Sequence, residues 1–110
     1  MNLQNITGLS SSDLELITQA AARQPEIEQL VLFGSRAKGT YRKGSDVDLA
    51  VQGTQVTYTS ITTLAEQLNE HLPLPYMFDV LDYNTLAEPA LKEHIDRVGI
   101  TLYQRQKPEA

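Results

Sequence analysis

The chain has 110 residues, 41% of them hydrophobic and 21% charged, with a formal net charge of −5 and no cysteine. These values fit one globular domain with a single core, and they exclude disulfides and thiolate metal sites. The acidic balance argues against a nucleic-acid partner, whose affinity would come largely from Lys and Arg neutralising phosphates.

No apolar run approaches the roughly 20 residues of a membrane span. The N-terminus lacks the basic and apolar regions of a signal peptide, so the cytoplasm is the expected compartment. There is no internal repeat, low-complexity segment or interdomain linker, and residues 1–110 read as one unit.

Ser12-Asp13-Leu14-Glu15 fits a capping box and predicts a helix running to about Ala22, with Pro25 soon after. Leu30 to Phe33 is a short apolar run ended by Gly34, which reads as a buried strand. Arg36 to Gly44 is polar and basic with two glycines, hence a loop or short helical turn. Asp46 to Val51 reads as a second strand. Its alternation sets Asp46, Asp48 and Ala50 on one face and Val47, Leu49 and Val51 on a core face.

After a polar connection, Ile61, Leu64, Ala65, Leu68 and Leu72 recur at helical spacing until Pro73 and Pro75. Tyr76 to Leu81 predicts a third strand, with Phe78 and Val80 opposite Met77, Asp79 and Leu81. A helix over Pro89 to Val98, with Gly99 at its end, and a strand over Ile100 to Tyr103 close the chain. The order is that of a small α/β domain, helices packed on a mixed sheet.

The chemistry concentrates in Gly34-Ser35 and Asp46-Val47-Asp48. Two carboxylates at i and i+2 on a strand project side by side and repel each other unless a cation sits between them. Mg²⁺ suits them, since it binds through one or two carboxylates together with substrate phosphates. Two such ions roughly 3.5–4 Å apart can hold the attacking and leaving oxygens of a displacement at phosphorus. Gly34 allows close backbone approach to a ligand, Ser35 adds a hydroxyl, and a helical turn opening at Arg36 would favour an anion. Asp79 is the preferred third acid because it points away from Phe78 and Val80, whereas Asp82 at the strand's end reads as a solvated or helix-capping acid. His71 and His94 have no ligand-like spacing and read as helix-end or surface residues. Tyr41 reads as an exposed loop tyrosine, and Leu91, Ile95 and Val98 as core.

Leu32-Phe33-Gly34-Ser35-Arg36-Ala37-Lys38-Gly39, followed by Gly44-Ser45-Asp46-Val47-Asp48-Leu49-Ala50-Val51, resembles the signature of the nucleotidyltransferase superfamily related to the DNA polymerase β palm. The short length and the ending from Leu91 to Tyr103 resemble the minimal nucleotidyltransferases, the MNT antitoxins paired with HEPN toxins. The resemblance runs from about Leu14 to Tyr103. It implies transfer of AMP from ATP to a hydroxyl, a tyrosine of the HEPN RNase in the antitoxin branch, and a hetero-oligomer with that toxin. It also implies that Asp46, Asp48 and Asp79 bind two Mg²⁺ ions, with Asp79 helping to activate the hydroxyl. Gly34 and Ser35 would hold the β- and γ-phosphates, and Arg36 and Lys38 would add phosphate contacts.

Two rivals follow from the same residues. One is a non-catalytic antitoxin that masks its partner by binding. The other is nucleotidyl transfer to a small molecule, for which an added acceptor domain would be expected.

Overall fold

The computed structural model describes residues 3–106. A four-stranded mixed sheet has the order β3-β2-β1-β4, built from β1 (Gln29–Phe33), β2 (Val47–Gln52), β3 (Phe78–Asp82) and β4 (Ile100–Gln104). β1 runs antiparallel to β2 and to β4, while β2 and β3 are parallel. The helices are α1 (Leu3–Thr7), α2 (Ser11–Ala22), α3 (Gly34–Lys38), α4 (Tyr58–Glu66) and α5 (Pro89–Val98). α4 widens into a π-helical turn over Gln67–His71, and a 3-10 turn over Tyr83–Thr85 follows β3. No described helix is long and apolar enough to cross a membrane.

Alternation along the strands divides the core in two. Leu30, Leu32, Val47, Leu49, Val51 and Phe78 face α2 and α4, where Ile17, Ala20, Ala21, Leu64 and Leu68 cover them. On the opposite face Val31, Phe33 and Ala50 meet Ile95 of α5, with Leu81, Tyr83, Leu86 and Leu91 around them. The face carrying the acids is therefore apolar further along β2, where Ala50 is fully buried. The start of β2, where the acids lie, is left open for chemistry.

α2 is capped by Ser10, not Ser12. The Asp13 N–H donates to Ser10 Oγ at 3.1 Å, and the Ser10 N–H donates to Asp13 Oδ2 at 3.2 Å. An acid three residues after Ser10 closes the box as well as Glu15 would after Ser12. Asp13 is also held from β3's approach by the Tyr76 hydroxyl, 2.6 Å away, and this tertiary bond supports the earlier start. α1 was not anticipated. The basic segment after Gly34 begins as a helix, α3, before it becomes a loop.

Candidate functional site

β1 ends at Phe33, which pairs with Asp48 on β2, and Asp48 pairs in turn with Asp79 on β3. Paired residues on adjacent strands point to the same face, so sheet register sets Asp48 and Asp79 side by side, one strand spacing of about 4.8 Å apart. Asp46 lies just ahead of β2, exposed, two residues before Asp48. Asp82 belongs elsewhere: it faces the other way from Asp79, and its Oδ1 accepts the Asn84 N–H at 3.0 Å, capping the 3-10 turn.

The electrostatics are those of crowded anions. Burial raises the Asp48 carboxyl above its ordinary range. The charges of Asp79 and Asp46 push it further up, and a protonated His94 would pull it back in part. Such a carboxylate is short of positive charge, which a divalent cation would supply.

No three His, Cys, Asp or Glu side chains converge into a ready-made metal cage among the described residues. The donors present, hard carboxylate oxygens on adjacent strands, fit Mg²⁺ in its usual protein setting. There one or two carboxylates supply part of the shell and substrate phosphates much of the rest.

Gly34 joins β1 to α3 with φ +74°, in the left-handed region that favours glycine. A Cβ at this position would collide with the Asp48 carboxylate. The Gly-Ser half and the Asp-x-Asp half of the motif thus meet through space, with Asp48 packed on the Gly34 Cα. Ser35 is half-buried, and its hydroxyl has no partner among the described residues. Lys38 is exposed at the last turn of α3.

Arg36 departs from the expected phosphate contact. Its side chain is only 4% exposed. Nε and one terminal nitrogen donate to Ser45 O at 3.2 and 3.0 Å, and the other terminal nitrogen donates to Thr7 O at 2.8 Å. The guanidinium also stacks on Tyr41 and Tyr76, 5.0 and 4.9 Å from their ring centroids. It ties the loop that carries Ser45 and Asp46 to α1, and its charge is spent inside the protein. Tyr41 is likewise half-buried against this guanidinium rather than an exposed loop residue.

Beside Ser45 lies an open cleft of about 660 Å³, lined by Tyr41, Arg42, Lys43, Tyr76 and the exposed Met77 among others. Its wall ends at Ser45, the residue before Asp46, and it is wide enough for a nucleoside-sized group. A smaller polar cleft of about 320 Å³ opens at the far end of β1 and β2, remote from the acids.

His94 is the residue that sequence spacing passed over. Its Nε2 accepts the Gly34 N–H at 3.3 Å, and its ring meets Phe33 edge-on at 6.2 Å. Sixty positions separate it from Gly34, so no local motif links them. The available signal was α5's own periodicity: 94 stands between Leu91 and Val98 on the stripe that faces the sheet. His71, by contrast, lies exposed beside Glu66 at 3.2 Å.

The family model described as Polymerase beta, Nucleotidyltransferase matches residues 15–108. A relative from Haemophilus influenzae, named probable protein adenylyltransferase MntA, is 34% identical over 76 residues, covering 68% of this chain and 65% of that protein. The match thus spans a little less than two thirds of that relative.

Among solved structures, a toxin–antitoxin with AMP-PNP superposes with a TM-score of 0.71 at 25% identity, covering 86% of this chain and 75% of the other. The MntA-HepT toxin–antitoxin superposes with a TM-score of 0.66 at 20% identity, over 87% of this chain and 74% of the other, and shares the fold. With its motif halves in contact and its sequence matched from residue 15 to residue 108, the chain belongs to the polymerase β-type nucleotidyltransferase family.

Proposed function

We propose that this protein transfers AMP from ATP to a hydroxyl, a tyrosine of a HEPN-type RNase toxin, and acts as its antitoxin in the cytoplasm. The observation that carries the reading is the Asp48–Asp79 register pair beside Gly34 and Ser35, which joins a cation-hungry acid pair to a turn open to phosphates. The likeness to a protein named as an adenylyltransferase, and to a toxin–antitoxin solved with AMP-PNP, supports the nucleotide and the kind of partner.

Asp46, Asp48 and Asp79 would hold Mg²⁺, two ions in the two-metal arrangement, which when bound neutralises phosphate charge and orients the triphosphate. Ser35 offers its hydroxyl to the β- and γ-phosphates, and Gly34, whose own N–H donates to His94 Nε2, shapes the turn that presents it. Lys38 adds an exposed positive charge from the last turn of α3. Asp79, exposed on the edge strand, takes the proton of the acceptor hydroxyl. The hydroxyl oxygen then bonds to the α-phosphorus, the bond from that phosphorus to the bridging oxygen breaks, and pyrophosphate leaves. The described fold serves as one minimal catalytic unit, and the acceptor arrives on the partner.

The test is incubation with a HEPN-type partner, labelled ATP and Mg²⁺. Label on a partner tyrosine that is lost with Asp46→Asn or Asp48→Asn supports transfer. Equal labelling by those variants sinks it, and protection of cells by Asp48→Asn without label means masking instead.

A further inference from the structure

Gly34 follows the last β1 residue paired with β2, so its N–H lies past that ladder. A half-buried backbone N–H needs a partner, and a glycine at φ +74° needs its peptide fixed from outside because its own side chain restricts nothing. Both requirements are met by His94 Nε2 at 3.3 Å. Accepting at Nε2 assigns the neutral ring with its proton on Nδ1.

The ring is itself braced. Phe33 meets it at an interplanar angle of 82°, and the next residue, Ile95, is 2% exposed in the core beneath α5. A mechanical line therefore runs from α5 through His94 to the Gly34 peptide, and from the Gly34 Cα to the Asp48 carboxylate packed on it.

We propose that His94 is a positioning residue of the nucleotide site: its imidazole fixes the Gly34 peptide, and so sets where Asp48 sits and how Ser35 is presented. This rests on the nucleotidyl-transfer reading above. Residues that orient the groups holding a metal or phosphate act at one remove, and they are felt in affinity without touching the ligand.

The test is titration of AMP-PNP with Mg²⁺ into the full chain and into two variants, with thermal melting as the check on fold. His94→Phe keeps a ring against Phe33 but has no acceptor. His94→Gln gives up the ring and keeps an acceptor near the Nε2 position. The expected result is binding weakened about tenfold in the Phe variant, with near-wild-type binding in the Gln variant. Wild-type or tighter binding by the Phe variant overturns the proposal, as does an equal loss in both. Should the Phe variant lose its fold, the Gln variant decides. Affinity near wild type sustains the acceptor role, and a loss of about tenfold overturns it. Failure of the wild-type chain itself to bind AMP-PNP is a different result, and overturns the nucleotide reading on which this one stands.

Discussion

The Asp48 carboxylate occupies the space where a side chain on Gly34 would begin. Two residues fourteen positions apart therefore share one small volume, and a side chain added at Gly34 has to displace the acid. Gly34→Ala strains the backbone at φ +74° by about 1–2 kcal/mol and also pushes the acid off its place. We expect a lower melting temperature together with a loss of nucleotide transfer larger than the stability change explains. A variant that melts early but transfers AMP at the wild-type rate would show that the contact is only steric.

Asp48 gives a pH prediction whose sign can be worked out. Its folded-state pKa is raised by burial and by the charges of Asp79 and Asp46, so the ionised form is disfavoured on folding. Without metal, the charge costs stability above the folded pKa, and the cost fades as pH falls through it. Asp48→Asn should therefore melt higher than the wild type at neutral pH in EDTA, with the gap closing in acid. Mg²⁺ with nucleotide should raise the melting temperature of the wild type and leave the Asn variant unmoved. Transfer should fall by more than about 100-fold, beyond the loss typical of an indirect metal contact. Equal stabilisation of both proteins by Mg²⁺–nucleotide would falsify the metal role.

Arg36 and Lys38, two positions apart in one helix, should behave differently. Arg36→Ala removes the donors that Arg36 supplies to Ser45 O and Thr7 O and takes the cation from two aromatic rings. The expected loss is about 3 kcal/mol in urea unfolding. Arg36→Lys recovers little of it, because one ammonium cannot span both carbonyls. Lys38→Ala should stay within about 0.5 kcal/mol of wild type, and its effect should appear in ATP affinity. Isothermal titration beside the unfolding curves separates the two roles.

The Asp13–Tyr76 bond links the cap of α2 to the approach to β3. Burial pushes the Asp13 carboxyl up, but hydrogen bonds from Tyr76 and Ser10 and the nearby Arg36 charge outweigh it and leave the pKa lowered. A lowered folded pKa contributes stability above the unfolded value, near 4, and that contribution is lost as pH falls through the folded value. Tyr76→Phe should cost about 1 kcal/mol at neutral pH, and the difference should shrink below about pH 4. A difference that is flat across that range would mean that Tyr76 acts through packing alone.

Much of this architecture is legible in the sequence because it is written in short periods. The alternation of Val47, Leu49 and Val51 against Asp48 gives β2 its faces, and the three-residue step from Asp79 to Asp82 separates an acid on the open face from one that caps a turn. Pro89 and Gly99 mark the ends of α5. What could not be read depends on partners remote in the chain. Arg36 looks like a phosphate ligand until Thr7 O and Ser45 O are seen to take its donors. His94 looks like a surface residue until the fold brings Gly34 to it. Ser10 and Ser12 each have an acid three residues on, and the Tyr76 bond to Asp13 is a tertiary contact that the sequence does not display.

The π-helical turn after α4 has an effect at the border of the sheet. It carries Asn69, whose amide donates to Phe78 O at 3.1 Å and accepts the Phe78 N–H at 2.8 Å. β3 is an outer strand, and a bare outer strand invites another chain to zip onto it. With both backbone groups of Phe78 already claimed, that zipper has no first tooth. A second chain cannot extend the sheet beside Phe78, so the partner proposed above would have to reach Asp79 over the open face.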